Sequence, residues 1–429
     1  MASISLLFLF ISFQLLLSIS LAIVPASDTF TYVNEGVFGD YVVEYDATYR
    51  FLPPSRNPFQ LCFYNTTPNS FTLALRMGTV RSEALMRWVW EANRGNPVRE
   101  NATFTFSADG NLVLADADGR IAWKTDTVGK GVVGFEVLTN GNMVLHDGKG
   151  NFIWQSFDSP TDTLLVGGHL RAGGTSRLVS RSSTSSNVDG AYSLVLEPKG
   201  LALYYKSPNS VRPLVYWTLT VSDKGSLANL TFSSELADAD GSLYEFRFQY
   251  FMTNPSSNSY INIVLSRYNN TLGIDGNLRI FTYNPNLQVY SWDVTYRFLD
   301  RRSRYGECQL PERCGKFGLC EDSQCVACPT PNGLSGWSQD CESKKVTSCK
   351  SGEFGYYKLD GVDHFTIKYT RGDGPTKQSE CEAKCSKDCK CMGYFYHTDR
   401  SRCWIAYDLK TLTRVGNSTN LAFIKTPKK

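Results

Sequence analysis

The sequence predicts a mainly β protein whose body is built from repeated small sheets, and three observations carry that expectation. A motif is written twice, 31 residues apart: Asp109-Gly110-Asn111-Leu112-Val113-Leu114 with Asp116 and Trp123, then Asn140-Gly141-Asn142-Met143-Val144-Leu145 with Asp147 and Trp154. Between residues 30 and 300, short runs rich in β-branched and aromatic residues alternate with Gly, Asn, Asp and Pro, and no helical period emerges. Twelve of the 13 cysteines then crowd between Cys308 and Cys403, the mark of a small disulfide-held region.

Each element follows from its residues. A short strand with a Gly-Asn turn before it and a tryptophan after it cannot bury its apolar face alone, so copies of it must stack around a shared core. Tyr41-Val42-Val43-Glu44-Tyr45, Phe71 to Arg76 and Tyr192 to Leu196 read as further strands. The theme returns more loosely at Gly200 to Tyr204 and at Asp275-Gly276-Asn277-Leu278, with Trp292 downstream. These spacings predict two prism-like domains joined between Leu165 and Arg181, and a surface loop in the serine-rich stretch from Ser180 to Asn187. After Tyr305 the cysteines fall into two groups of six. The segment around the first group is too short to bury a sufficient core without bridges. In the second, Cys381 and Cys385 stand four apart, on one face of a short helix opened by Ser379, with Tyr394 to Tyr396 and Cys403 to Ala406 as strands beneath it.

Residues 1–22 read as a secretory signal peptide, ending on the small-x-small site Ser20-Leu21-Ala22. No second apolar stretch long enough to span a membrane follows, and the C-terminal residues are not those of a lipid-anchor tail. Five Asn-x-Ser/Thr sequons, at Asn65, Asn101, Asn229, Asn269 and Asn417, are candidate glycosylation sites and hence expected at the surface. A formal charge of +3 over 429 residues gives no reason to expect nucleic acid as a partner. Cys62 is left over from the disulfide groups; burial as a free thiol and an intermolecular bridge both remain open.

Trp154-Gln155-Ser156-Phe157-Asp158-Ser159-Pro160-Thr161-Asp162-Thr163, with Trp90-Glu91-Ala92-Asn93-Arg94-Gly95 upstream, resembles the bulb-type mannose-binding lectin domain of plant S-domain proteins. Cys314-Gly315-Lys316-Phe317-Gly318-Leu319-Cys320 resembles their EGF-like segment, and Cys381 to Cys403 their PAN/apple domain. Tyr32-Val33-Asn34-Glu35-Gly36 and Val43-Glu44-Tyr45-Asp46 are similar to the epidermis-specific secreted glycoproteins of plants, and nothing like a kinase follows. The resemblance implies two β-prism II domains, then the EGF-like segment and an α+β PAN/apple domain. The expected boundaries are 1–22 signal peptide, 23–43 N-terminal arm, 44–166 and 167–303 lectin-like domains, 304–344 EGF-like and 345–429 PAN/apple. It also implies bridges Cys308–Cys320, Cys314–Cys325, Cys328–Cys341, Cys349–Cys389, Cys381–Cys403 and Cys385–Cys391.

The family's mannose motif is Gln-x-Asp-x-Asn-x-Val-x-Tyr on one strand. Alternate side chains share a face, so amide and carboxylate groups form a fork around sugar hydroxyls, Val touches the ring edge and Tyr closes the end. The first copy has Ser107, Asp109, Asn111, Val113 and Ala115 at these positions; the second has Leu138, Asn140, Asn142, Val144 and His146. Asp109, Asn111, Val113, Asn140, Asn142 and Val144 are therefore candidate carbohydrate-binding residues of a degenerate site. The competing reading makes Asp109 and Asn111 hairpin-turn residues that need no ligand, and it is the favoured one. Asp116 and Asp147 read as turn acids, Trp123 and Trp154 as core.

None of the four histidines, His146, His169, His364 and His397, lies in a hydrolase or metalloprotease motif, and Cys325-Val326-Ala327-Cys328 falls in a structural cysteine cluster. No catalytic residue, metal or cofactor is expected. The expectation is a secreted, non-enzymatic cell-wall or apoplast glycoprotein that engages wall glycans or glycoproteins, mannose-containing ones among them, with a homodimer left open. A functional mannose-binding lectin, and a wall hydrolase or inhibitor, are the alternatives.

Overall fold

A computed structural model describes residues 23–78, 86–221, 225–237, 241–250, 260–265, 269–283, 292–302, 306–346, 350 and 352–428. The expected signal peptide, residues 1–22, lies outside them. The chain divides into two compact units, residues 1–159 and 160–429.

The described residues of the first unit form three antiparallel sheets. One joins Phe30–Val33, Thr103–Phe106, Leu112–Ala115 and Ile121–Lys124; the second joins Gly134–Val137, Met143–His146 and Phe152–Gln155; the third joins Thr48–Arg56, Phe59–Asn65, Thr72–Met77 and Arg87–Glu91. Strict alternation builds the first: Phe104, Phe106, Leu112 and Leu114 point inward, while Thr103, Thr105 and Val113 stay half-exposed. The segment expected as an N-terminal arm supplies Phe30–Val33 to this sheet, where Phe30 pairs with Phe106 and Val33 with Thr103. Its rings explain the docking, because Phe30 packs on Phe104, Phe106 and Phe135.

The same irregularity recurs in all three sheets. Pairing to the last strand slips after Leu114, after Leu145 and after Leu75. The residues opposite those leucines are Trp123, Trp154 and Trp90. Their rings form a closed triangle, with centroids 5.7, 5.7 and 6.2 Å apart and planes 72° to 77° from one another. Edge-to-face contacts of this kind add about 0.5–1.5 kcal/mol per pair beyond area burial. Trp90, which the repeat spacing left out, completes the three-fold arrangement, and its Nε1 donates to Ser159 O at 3.0 Å.

The second unit begins with three further sheets. They are Arg177–Ser183, Ser186–Glu197, Gly200–Tyr205 and Leu214–Thr220; His169–Arg171, Leu227–Ala237, Gly241–Tyr250 and Tyr260–Leu265; and Thr163–Leu164, Asn269–Leu272, Leu278–Tyr283 and Trp292–Arg297. The slip returns after Leu203, opposite Trp217, and after Ile280, opposite Tyr296. Trp292, read as the repeat's tryptophan, instead pairs with Tyr283 at the far end of its strand. Phe298 lies between Trp217 and Tyr296, 5.4 and 5.5 Å from them. The serine-rich stretch is not a loop but the tip of a hairpin, with Arg181 opposite Asp189 and Ser183 opposite Ser186. Small hydroxyl side chains let the strands close there: Ser180 is buried, and the buried Arg181 donates from Nε to Ser183 O at 2.8 Å.

The cysteine-rich segment and the C-terminal segment share a sheet. Its order is Gly333–Gly336, Gln324–Thr330, Phe317–Glu321, Lys410–Arg414 and Val362–His364, with Phe317–Glu321 and Lys410–Arg414 parallel. A second sheet joins Phe354–Asp360, Asn420–Pro427, Gly393–His397 and Arg402–Ala406. The helix Gln378–Lys387 packs on it, with Cys381 and Cys385 buried beneath. Ser379 does not open this helix: the Glu380 carboxylate reaches back to the backbone N–H of Lys377 at 3.3 Å. Disulfides join Cys308–Cys320, Cys314–Cys325, Cys328–Cys341, Cys381–Cys403 and Cys385–Cys391. Cys389 is disulfide-bonded, and the expected partner Cys349 lies outside the described residues.

Candidate carbohydrate-binding strands

The shared slip fixes which residues are equivalent. Leu114, Leu145, Leu75, Leu203 and Ile280 occupy one position. Counting back three residues reaches Asn111, Asn142, Thr72, Gly200 and Asn277.

The three asparagines do the same work. Each sits in a turn whose preceding Asp or Asn accepts its backbone N–H: Asp109 for Asn111, Asn140 for Asn142 and Asp275 for Asn277, all at 3.1 Å. Each asparagine then reaches past the turn with its own Oδ1. Asn111 accepts Thr127 N at 3.1 Å and Thr125 Oγ1 at 2.9 Å. Asn142 accepts Phe157 N and Ser156 Oγ, both at 3.2 Å. Asn277 accepts Leu299 N at 3.1 Å. A buried backbone N–H needs an acceptor, and these amides provide it where the chain leaves the tryptophan strand. The partners follow a readable signal, since Thr125 and Ser156 each stand two residues after a repeat tryptophan. Asp147 makes a tight turn, accepting Lys149 N and Asn151 N, both at 2.9 Å. Asp116 does more: burial would raise its pKa, but the N–H groups of Arg99 and Ala117 and the guanidinium groups of Arg99 and Arg120 hold it at about 2.

The faces that carry the motif differ sharply. On the first strand Asp109 is exposed, its Oδ1 taken by Ser107 Oγ at 2.5 Å as well as by Asn111 N. Val113 is half-exposed, and Asn111 Nδ2 has no partner among the described residues. On the second strand Val144 is only 1% exposed, and Asn142 Nδ2 already donates to Gln155 Oε1 at 2.9 Å. In the copy around Asp275, Arg279 stands where Val would be and closes on the Asp275 carboxylate, donating from Nη1 at 2.7 Å. In the Leu203 copy Tyr204 keeps the tyrosine position, but its hydroxyl is spent on Glu197.

The third sheet of the first unit has lost the motif altogether. Ser70, Thr72, Ala74 and Arg76 occupy its positions, and residues 43–47 close over that face. Val43, Ala47, Tyr49, Cys62, Tyr64, Ala74, Met86 and Trp88 form a small core there. Trp88 Nε1 donates to Glu44 O at 3.2 Å, and Arg87 pairs with the Glu44 carboxylate at 2.7 Å. Cys62 lies inside this core, fully buried, and desolvation pushes its thiol up to about 12.

The candidate glycosylation sites also differ in setting. Asn101 and Asn417 are exposed. Asn229 is half-buried within Leu227–Ala237, and the side chain of Asn269 lies outside the described residues. Asn65 is only 8% exposed, its Oδ1 accepting the Thr48 hydroxyl.

A tryptophan-centred array of small sheets with Asn-stapled turns defines a lectin-type β scaffold. Residues 87–187 match the family described as D-mannose binding lectin. Across 422 residues the chain is 47% identical to EP1-like glycoprotein 3 of Arabidopsis thaliana, covering 95% of this chain and 94% of that one. It is 51% identical to the epidermis-specific secreted glycoprotein EP1 of Daucus carota over 79% of this chain and 93% of that one. A more distant relative, the G-type lectin S-receptor-like serine/threonine-protein kinase SD2-5 of Arabidopsis thaliana, is 26% identical over 86% of this chain and 43% of its own length. The chain belongs to the EP1-like family of secreted glycoproteins. Among the described residues no helix is long and apolar enough to cross a membrane.

Proposed function

We propose that this secreted glycoprotein is a non-enzymatic interaction module of the plant cell wall, with lectin architecture and eroded mannose sites, that engages glycans or glycoproteins through its surfaces. The observation that carries the reading is the use of the motif's own asparagines: in three turns the amide oxygen is committed to the backbone of the same chain. Among the described strands only the first retains an exposed acid, an unpartnered amide N–H and a half-exposed valine together. It lacks the Gln and Tyr ends of the fork, having Ser107 and Ala115. Two absent neutral hydrogen bonds at about 1 kcal/mol each weaken mannose binding by roughly one to two orders of magnitude. The relatives at 47% and 51% identity are named as glycoproteins and not by an enzymatic activity, which supports the non-enzymatic part of the reading.

A second reading, a weak but functional mannose lectin, draws on the open face of that same strand. Glycan-array binding with calorimetry separates the two. Asn111→Ala is a poor probe because it also breaks a fold contact. Val113→Arg is the better one, since Arg279 already occupies the equivalent position in another sheet. The expected result is binding to mannose oligosaccharides no tighter than millimolar and no loss in Val113→Arg. Tight, mannose-selective binding that Val113→Arg abolishes would overturn the degenerate-site reading.

A further inference from the structure

We infer that a cleft in the C-terminal part of the second unit, remote in sequence from the lectin motif, is a binding site for oligosaccharides of uronic acids with free carboxylates. The cleft has a volume of about 680 Å³, within the range of small-ligand sites. Strand residues Asp363, His397 and Trp404 line it together with Gln309 from the cysteine-rich segment.

One buried polar atom there lacks a partner among the described residues, and a buried His–Asp pair stands in the same wall. Gln309 is 8% exposed, and its Oε1 has no hydrogen bond among the described residues. His397 is 5% exposed, with Nε2 at 2.8 Å from Asp363 Oδ1. Asn420 Nδ2 holds the other carboxylate oxygen at 2.9 Å, which fixes the pair. The other ring nitrogen, Nδ1, makes no hydrogen bond among the described residues. Buried unpaired acceptors are costly and rare. The Gln309 oxygen calls for a hydroxyl donor from a ligand, and the His397 ring lining the same cleft offers a second polar contact.

The remaining wall supplies a ring platform and positive charge. Trp404 is half-buried beside His397, with ring centroids 4.6 Å apart. Thr370 anchors its indole N–H at 3.1 Å, and Gly372 leaves room for the ring, since a Cβ there would stand 2.5 Å from it. An indole so held offers apolar surface to the C–H groups of a sugar. Arg371 and Arg400 are exposed at the cleft, and Arg402 is fixed by Gly374 O at 2.7 Å. Arg371 has no ion-pair partner among the described residues. Guanidinium groups pair carboxylates with matched geometry. A hydroxyl-seeking buried acceptor, an aromatic platform and arginines together match an acidic saccharide. An acidic peptide would satisfy the arginines but brings no run of hydroxyls for Gln309 and His397.

The test is calorimetry on the full glycosylated chain secreted from plant cells. The probes are a de-esterified oligogalacturonate, its methyl ester, poly-glutamate and a mannose oligosaccharide. The free-acid oligosaccharide should bind at least about tenfold more tightly than its ester or the polypeptide, a difference of about 1.4 kcal/mol. The double variant Arg371→Glu/Arg400→Glu changes only exposed side chains, and should lose about tenfold or more for the free acid. Val113→Arg should leave this binding unchanged, so failure here and failure of the mannose reading are distinguishable. Equal affinity for acid and ester, equal binding of poly-glutamate, no binding of the free acid, or indifference to the arginine reversals would each overturn the assignment.

Discussion

Asn111, Asn142 and Asn277 show how one residue type serves two chemistries. An amide on this strand can grip a sugar hydroxyl or accept a backbone N–H, and here its oxygen does the second. Asn111→Ala should therefore cost about 1–3 kcal/mol of stability, the penalty for stranding the buried Thr127 N–H, readable as a lowered Tm whether or not sugar is present. Cys62 carries a parallel lesson. With its thiol raised to about 12, almost no thiolate exists at pH 8, and thiolate is the reactive form. The native protein should resist maleimide labelling at that pH and become labelled only in denaturant, and its mass in gel filtration should not respond to reductant. Labelling of the native chain, or a dimer lost on reduction, would contradict the closed core around it. The sequence left burial and bridging both open because the residues that cover Cys62 come from a separate segment, 43–47.

At the scale of elements, the tryptophan triangle is the joint on which the first unit is assembled. Trp154→Ala should cost about 3 kcal/mol, the lower end for a Trp truncation because the ring is half-buried, seen as a lower denaturant midpoint and a collapse of the near-ultraviolet dichroism of coupled indoles. The same substitution at Trp292, which pairs with Tyr283 away from the slip, should leave the dichroism of the first unit intact. Two corners of the triangle were legible in the sequence, because Asp109-Gly110-Asn111 and Asn140-Gly141-Asn142 still mark their strands. The third was not, because Ser70 and Thr72 have replaced the turn residues before Trp90, so the tryptophan stood without its signal. The pairing of Tyr296 with Ile280 was hidden for a related reason: an aromatic ring fills the place, but it is not an indole. The hairpin at Ser180 to Asn187 was misread because serine clusters favour turns locally, and only pairing with Ser186–Glu197 overrides that. The helix Gln378–Lys387 was read nearly correctly, since two cysteines four apart must share a helix face, whereas its Glu380 cap competed with the more familiar Ser379.

Across the whole molecule, acid stability should carry the signatures of two buried groups. Burial draws His364 from 6.5 to about 4, between Thr366 Oγ1 and Asp408 O. Its folded pKa is depressed, so its contribution is full above the unfolded value and is lost as pH falls from about 6.5 to 4. Asp116, held at about 2 against an ordinary 3.8, contributes stability above that ordinary value which is lost as pH falls toward 2. His364→Gln should flatten the first window and Asp116→Asn the second, in unfolding followed against pH. Glycan mapping should find the exposed Asn101 occupied and Asn65 bare, because the Asn65 side chain is only 8% exposed and its Oδ1 accepts the Thr48 hydroxyl. In the proposed function the scaffold is kept while the saccharide fork is lost. The most direct measurement of that loss is the mannose affinity of the double variant Ser107→Gln/Ala115→Tyr, which restores both ends of the fork on the one open strand. The predicted result is a gain of roughly tenfold to a hundredfold over the parent chain; a parent that already binds mannose tightly, with no gain in the variant, would contradict it.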